Sequence, residues 1–174
     1  MINIKRHPAY YIALCGVMTA LAMIFGYIDT LIQIPIGILF SAKLGLANLV
    51  VVVMLFAINR SSAFIINMTR IILCSMLFGT FTSFWYSLIG GILSFCVMAI
   101  LKTTNKVSII TISICGAITH NIGQLTVAII LMQEIGLIFT LPVLLIIGLI
   151  TGTVIGLIAI PILKTPIFKK KPNN

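Results

Sequence analysis

Two basic side chains interrupt long apolar runs in this sequence, and they are the residues best suited to hold a ligand. Lys43 opens the apolar run 44–58, and Arg70 lies near the middle of the run 62–78. A charge in apolar surroundings is costly unless it is paired, so such residues mark candidate sites by default. Ammonium and guanidinium groups favour carboxylate and phosphate oxygens. The two cations therefore predict a site for an anionic group.

Amide and imidazole side chains accompany these cations. Asn67 shares a helical face with Arg70, and His120 shares one with Gln124, because residues three or four apart are neighbours on a helix. Phe, Leu and Met side chains nearby suit an apolar or aromatic body on the ligand. Two plainer interpretations stay open: Arg70 bonded to backbone carbonyls, and His120 satisfied within the core. The predicted substrate-binding residues are Lys43, Asn48, Asn67, Arg70, His120, Asn121 and Gln124.

The composition decides the class of protein that must position these residues. Of the 174 residues, 61% are hydrophobic and only 7% are charged, which is far from the range of soluble domains. We predict an all-α integral membrane protein in which residues 1–174 form a single transmembrane domain, since a span needs about 20 apolar residues. The six predicted transmembrane helices cover about 9–28, 43–58, 62–78, 81–101, 107–132 and 137–163.

The connecting segments predict the orientation of these helices. Basic residues concentrate before the first span and in alternate connectors, so the positive-inside rule places both termini in the cytoplasm. Asp29 and Glu134 then fall outside, at the periphery. The connector 29–42 either dips into the membrane as a lid or is a plain loop. Gly148, Gly152 and Gly156 repeat every four residues and predict a helix-packing face.

Missing motifs exclude several classes of function. No G-x-x-x-x-G-K-[ST] loop is present, so the chain cannot bind ATP in the P-loop manner. One aspartate cannot supply the paired aspartate-rich magnesium motifs of a prenyl diphosphate synthase, and no acidic residue orients a nucleophile within the spans. The four cysteines form no Cys-x-x-Cys pair, so no metal site is predicted. We expect no enzyme activity, no catalytic residue, no cofactor in this chain and no nucleic-acid partner.

Several ordered motifs carry a family resemblance. From about Ala9 to Leu163 the chain resembles the Gx transporter family, also catalogued as heptaprenyl diphosphate synthase component I. The motifs are Tyr27-Ile28-Asp29, Lys43-Leu44-Gly45-Leu46-Ala47-Asn48, Arg70 with Phe78-Gly79, Tyr86-Ser87-Leu88-Ile89-Gly90-Gly91 and His120-Asn121-Ile122-Gly123-Gln124.

That family resembles the substrate-binding S components of energy-coupling-factor transporters. The resemblance implies a six-helix protein of the bacterial plasma membrane that captures a small molecule for uptake. It also implies a transmembrane T component and two ATPases as partners, which would use ATP. An accessory membrane subunit of isoprenoid or quinone synthesis, or of a quinone-linked electron-transfer complex, is the alternative function. The small residues that would dock the T component are Ala9, Ala13, Gly16 and Ala20.

Overall fold

A computed structural model describes residues 8–32, 34–36, 40–42 and 45–168, with side chains described for 9–32 and 45–168. Six α-helices account for most of these residues, and a short antiparallel hairpin follows the first helix. In chain order the elements are α1 (Pro8–Leu31), β1 (Ile34–Ile36), β2 (Phe40–Ala42), α2 (Asn48–Ala57), α3 (Arg60–Phe78), α4 (Phe81–Thr103), α5 (Ile109–Met132), a 3₁₀ helix (Ile135–Thr140) and α6 (Leu141–Lys164).

Five of the helices are long and apolar enough to cross a membrane, and α2 is the exception. The predicted second span, 43–58, is too long: α2 has ten residues, or about 15 Å at 1.5 Å per residue, about half of a bilayer core. Val50 to Leu55 are all buried around the whole circumference of α2. A helix that is apolar on every side belongs in a core, so α2 is packed inside the bundle.

Polar residues at the starts of the helices explain several boundaries. The side chain of Asn59 accepts a hydrogen bond from the backbone N–H of Ser62 at the start of α3. Thr80 caps α4 and Ser108 caps α5 in the same way. Such side chains satisfy N–H groups that have no partner within the helix, and so stop the apolar runs from merging into longer helices.

Helices α1 and α3 run parallel and in register. Three contacts join residues that are each 51 positions apart: Tyr11 with Ser62, the Met23 carbonyl with the Cys74 thiol, and Tyr27 with Phe78. The chain must therefore return toward the first turns of α1 between these two helices. Helix α2 makes that return, and the amine of Lys102 on α4 donates to the Leu55 carbonyl in its last turn.

Helices α5 and α6 pack closely through glycines, which confirms the predicted packing face. A Cβ atom on Gly152 would stand 2.6 Å from the Ile114 Cα. The corresponding distances are 2.7 Å from Gly156 to the Ile110 Cα and 3.2 Å from Gly148 to the Ile118 Cα. Because α5 covers this stripe, the described structure leaves it no free face for another protein.

Two glycine-to-alanine changes, one in the α5–α6 contact and one on α1, should have different effects on stability. Gly152→Ala should lower the free energy of unfolding by about 1–3 kcal/mol, because the added methyl group meets backbone that cannot move aside. Gly16→Ala on α1 meets no atom within 4 Å, so it should be neutral or stabilising by up to about 1 kcal/mol. Thermal unfolding of both variants in mild detergent checks the pair; equal stability would contradict the packing role of Gly152.

Candidate binding site

The guanidinium of Arg70 is the centre of the site. Arg70 is 7% exposed and lies on α3. Its Nε and Nη2 donate to the Asn67 Oδ1 at 3.2 and 2.9 Å, and Nη2 also reaches the Asn48 Oδ1 at 3.4 Å. These three bonds leave the Nη1 group unused among the described residues. A buried cation with two spare N–H donors is equipped to bind an oxygen-rich group.

A contact with α4 fixes Asn67 in this arrangement, whereas the Asn48 amide nitrogen is left without a partner among the described residues. Asn67 donates through Nδ2 to the Gly91 carbonyl on α4 at 3.1 Å, so its Oδ1 must turn to Arg70. Gly91 lets α3 pack closely against α4, because a Cβ on Gly91 would stand 2.6 Å from the Ile71 Cδ1. Asn48 is 5% exposed, and its Nδ2 has no hydrogen-bond partner in the described part of the chain.

Asp29 supplies negative charge to the site, and the prediction that it is peripheral is wrong. Its side chain is 4% exposed and accepts hydrogen bonds from the backbone N–H groups of Leu46 at 3.1 Å and Ala47 at 3.4 Å. The carboxylate also attracts the Arg70 guanidinium electrostatically. Helix α1 continues to Leu31 and carries Asp29 inside the bundle, whereas the predicted span ended at residue 28. The motif Tyr27-Ile28-Asp29 was the sequence signal that pointed to this residue.

A cavity joins the two charged groups to His120. Its volume is about 30 Å³, room for two or three water molecules. Ile71 is the one large apolar side chain among the described lining residues, so these residues do not supply the expected apolar or aromatic surroundings. The lining residues are Gly26, Asp29, Thr30, Gly45, Arg70, Ile71, Cys74, Ser75, Gly79, Ser83, Ser87 and His120.

His120 reaches the cavity because α4 and α5 touch at glycines. A Cβ on Gly90 would stand 2.9 Å from the His120 carbonyl, and one on Gly123 would stand 2.8 Å from the Gly90 Cα. The His120 Nε2 lies 3.2 Å from the Gln124 Nε2, so one ring nitrogen is engaged along the helix. Gln124, which is 2% exposed, lies one helical turn after His120 and orients its imidazole through this contact.

A family model described as heptaprenyl diphosphate synthase component I matches residues 18–162. The chain belongs to the heptaprenyl diphosphate synthase component I family. No curated protein and no solved structure matches the chain. The match includes every residue that lines the cavity, so the site of this component I chain lies entirely within the family region.

The component I structure brings together some of the predicted site residues and separates another. Asn48, Asn67 and Arg70 form one hydrogen-bonded group, and His120 faces the same cavity. Asn121 instead donates to the Leu144 carbonyl at 2.9 Å, which ties α5 to α6. Lys43 lies outside the described residues, and its role in the site stays a prediction.

Removing the Asn67 amide tests whether it holds the buried cation in this component I chain. Asn67→Ala leaves the Arg70 Nε without its partner, and should lower the free energy of unfolding by about 2–3 kcal/mol. Thermal unfolding in mild detergent measures the change. Ser61→Ala, an exposed position on α3, is the matched control and should have no effect. Equal melting temperatures for the two variants would refute the orienting role.

Proposed function

We propose that this chain is the S component-like, substrate-binding membrane subunit of an energy-coupling-factor type transporter. It captures an anionic or amphipathic small molecule and contacts the anionic group through Arg70. The observation that carries the proposal is the buried Arg70 guanidinium, which lines a polar cavity and whose Nη1 donors make no hydrogen bond to a described residue. A charged side chain inside a membrane bundle is costly, and it marks a candidate binding site by default.

The size of the cavity defines what capture requires. A cavity of about 30 Å³ is far smaller than the roughly 300–1,000 Å³ of typical ligand pockets. The polar lining suits the head group of the ligand, and any apolar body must lie outside it. Capture of a whole molecule therefore needs the cavity to open.

The exposed face of α1 supports a partner in the membrane. Ala9, Ala13, Gly16 and Ala20 are all exposed, in contrast to the covered glycine stripe of α6. Small side chains allow another helix to approach closely. In this proposal the T component docks on α1, two ATPases supply the energy from ATP, and the six helices leave both termini in the cytoplasm of the bacterial cell.

The family description favours a second candidate function. An accessory membrane subunit of isoprenoid or quinone synthesis, or of a quinone-linked electron-transfer complex, would use the same site for a prenyl diphosphate or a quinone head group. Arg70 suits a diphosphate, because a guanidinium binds phosphate oxygens in a bidentate manner. The partner would then be a synthase or a redox subunit, and the chain would not transport its ligand.

Mass spectrometry of small molecules that co-purify with the chain tests the role of Arg70. Arg70→Gln should reduce the amount of bound anionic molecule about tenfold or more, since a charge-assisted hydrogen bond contributes about 1.5–3 kcal/mol. Arg60→Gln is the matched control, because Arg60 is exposed on the same helix and outside the cavity. The same molecules in equal amounts from both variants would refute the binding role.

Affinity purification from native membranes separates the two candidate functions. Recovery of a T component with two ATPases supports the transporter, whereas recovery of a prenyl synthase or redox subunits supports the accessory role. Ala13→Leu should prevent recovery of the T component without removing bound ligand, because the longer side chain keeps the helices apart. Cys96→Leu enlarges an exposed side chain on α4 and should leave assembly intact; normal assembly of Ala13→Leu would contradict docking on α1.

A further inference from the structure

We infer that Asp29 determines the specificity of the Arg70 site by acting as an internal substitute for the ligand. Its carboxylate occupies the position that the ligand's own oxyanion takes, so a carboxylate or phosphate group must displace it on binding. The inference rests on the proposed function of Arg70 and adds the class of group that the site accepts.

The first observation is the manner in which Asp29 meets α2. Each of its two oxygens accepts one backbone N–H, from Leu46 and from Ala47, just before the first turn of the ten-residue α2. No side chain within the segment caps this helix. Unpaired N–H groups and the helix dipole together attract anions to a helix N-terminus. A carboxylate or phosphate presents the same pair of oxygens.

The second observation is independent of these backbone groups. Asn48 Nδ2 is buried and has no hydrogen-bond partner in the described ranges. It lies beside Gly45, which lines the cavity, and 3.3 Å from the position of a Cβ there. Arg70 Nη1 makes no hydrogen bond to a residue within 9–32 or 45–168. The site therefore holds donors that no described residue satisfies, and a ligand with three or four oxygens would use them.

Charge and space together require displacement of Asp29. A second anion placed a few ångströms from the Asp29 carboxylate would be repelled strongly in a medium of low dielectric constant. The empty space beside Asp29 and Arg70 is also small, about 30 Å³. An incoming oxyanion gains full access to Arg70 and to the Leu46 and Ala47 N–H groups only when Asp29 moves away.

Titration of the purified chain with inorganic phosphate and with acetate tests this inference. Asp29→Asn and Asp29→Ser remove the competing charge, and should bind at least one of the two probes about tenfold more tightly than the unaltered chain, a change of about 1.4 kcal/mol. Glu134→Gln removes the other acidic residue of the chain, which is exposed, and should leave the affinity unchanged. Tighter phosphate binding alone indicates a phosphate ligand, and tighter acetate binding alone indicates a carboxylate.

The outcomes separate this inference from the proposed function. Folded Asp29 variants that bind both probes no more tightly than the unaltered chain overturn the inference. If an Asp29 variant folds only when a probe anion is present, the anion has replaced the carboxylate, which supports the inference; failure of both probes to rescue folding overturns it. Adding Arg70→Gln should abolish probe binding in every background, and binding that survives it counts against the Arg70 site itself.

Discussion

The burial of one guanidinium is the constraint on which the rest of this structure depends. Arg70 lies among apolar helices, and it is stabilised by two amide oxygens and by the charge of Asp29. Each partner comes from a different place: Asn67 from α3 itself, Asn48 from the start of α2, and Asp29 from α1. Helix α2 must therefore begin inside the bundle, beside the last turn of α1. Its side chains are apolar on every face, so α2 can be buried among the other helices.

Close helix contacts give the site its shape. Gly90 and Gly91 are adjacent on α4, and they admit α5 on one side and α3 on the other. The same pair of residues thus brings His120 to the cavity and holds the Asn67 amide in the orientation that Arg70 requires. The result is a narrow polar cavity, in which hydroxyls and charged groups replace the apolar surroundings of the spans. Because Gly90 and Gly91 have no side chains, α3, α4 and α5 can pack closely there. Their polar groups then either hydrogen-bond to one another or line the same cavity.

Both candidate functions place the same demand on this site. The family description names a component of a prenyl diphosphate synthase, and the chain has neither a P-loop nor paired aspartate-rich motifs. In both proposals, energy or catalysis comes from other proteins, while this chain supplies a buried cation and a polar cavity. The exposed small residues of α1 offer a face for such a protein within the membrane.

The sequence by itself determined the membrane class, five of the helices to within a few residues at most ends, the glycine packing face of α6 and the position of Arg70 within an apolar helix. These features follow from apolar length, capping residues and local spacing, which are properties of neighbouring residues. Only the tertiary structure decided that α2 is a short buried helix, that Asn121 bonds to α6 and that Asp29 and Arg70 line the same cavity. Asp29 and Arg70 are 41 positions apart, and no local pattern reports that parallel packing of α1 and α3 brings them together.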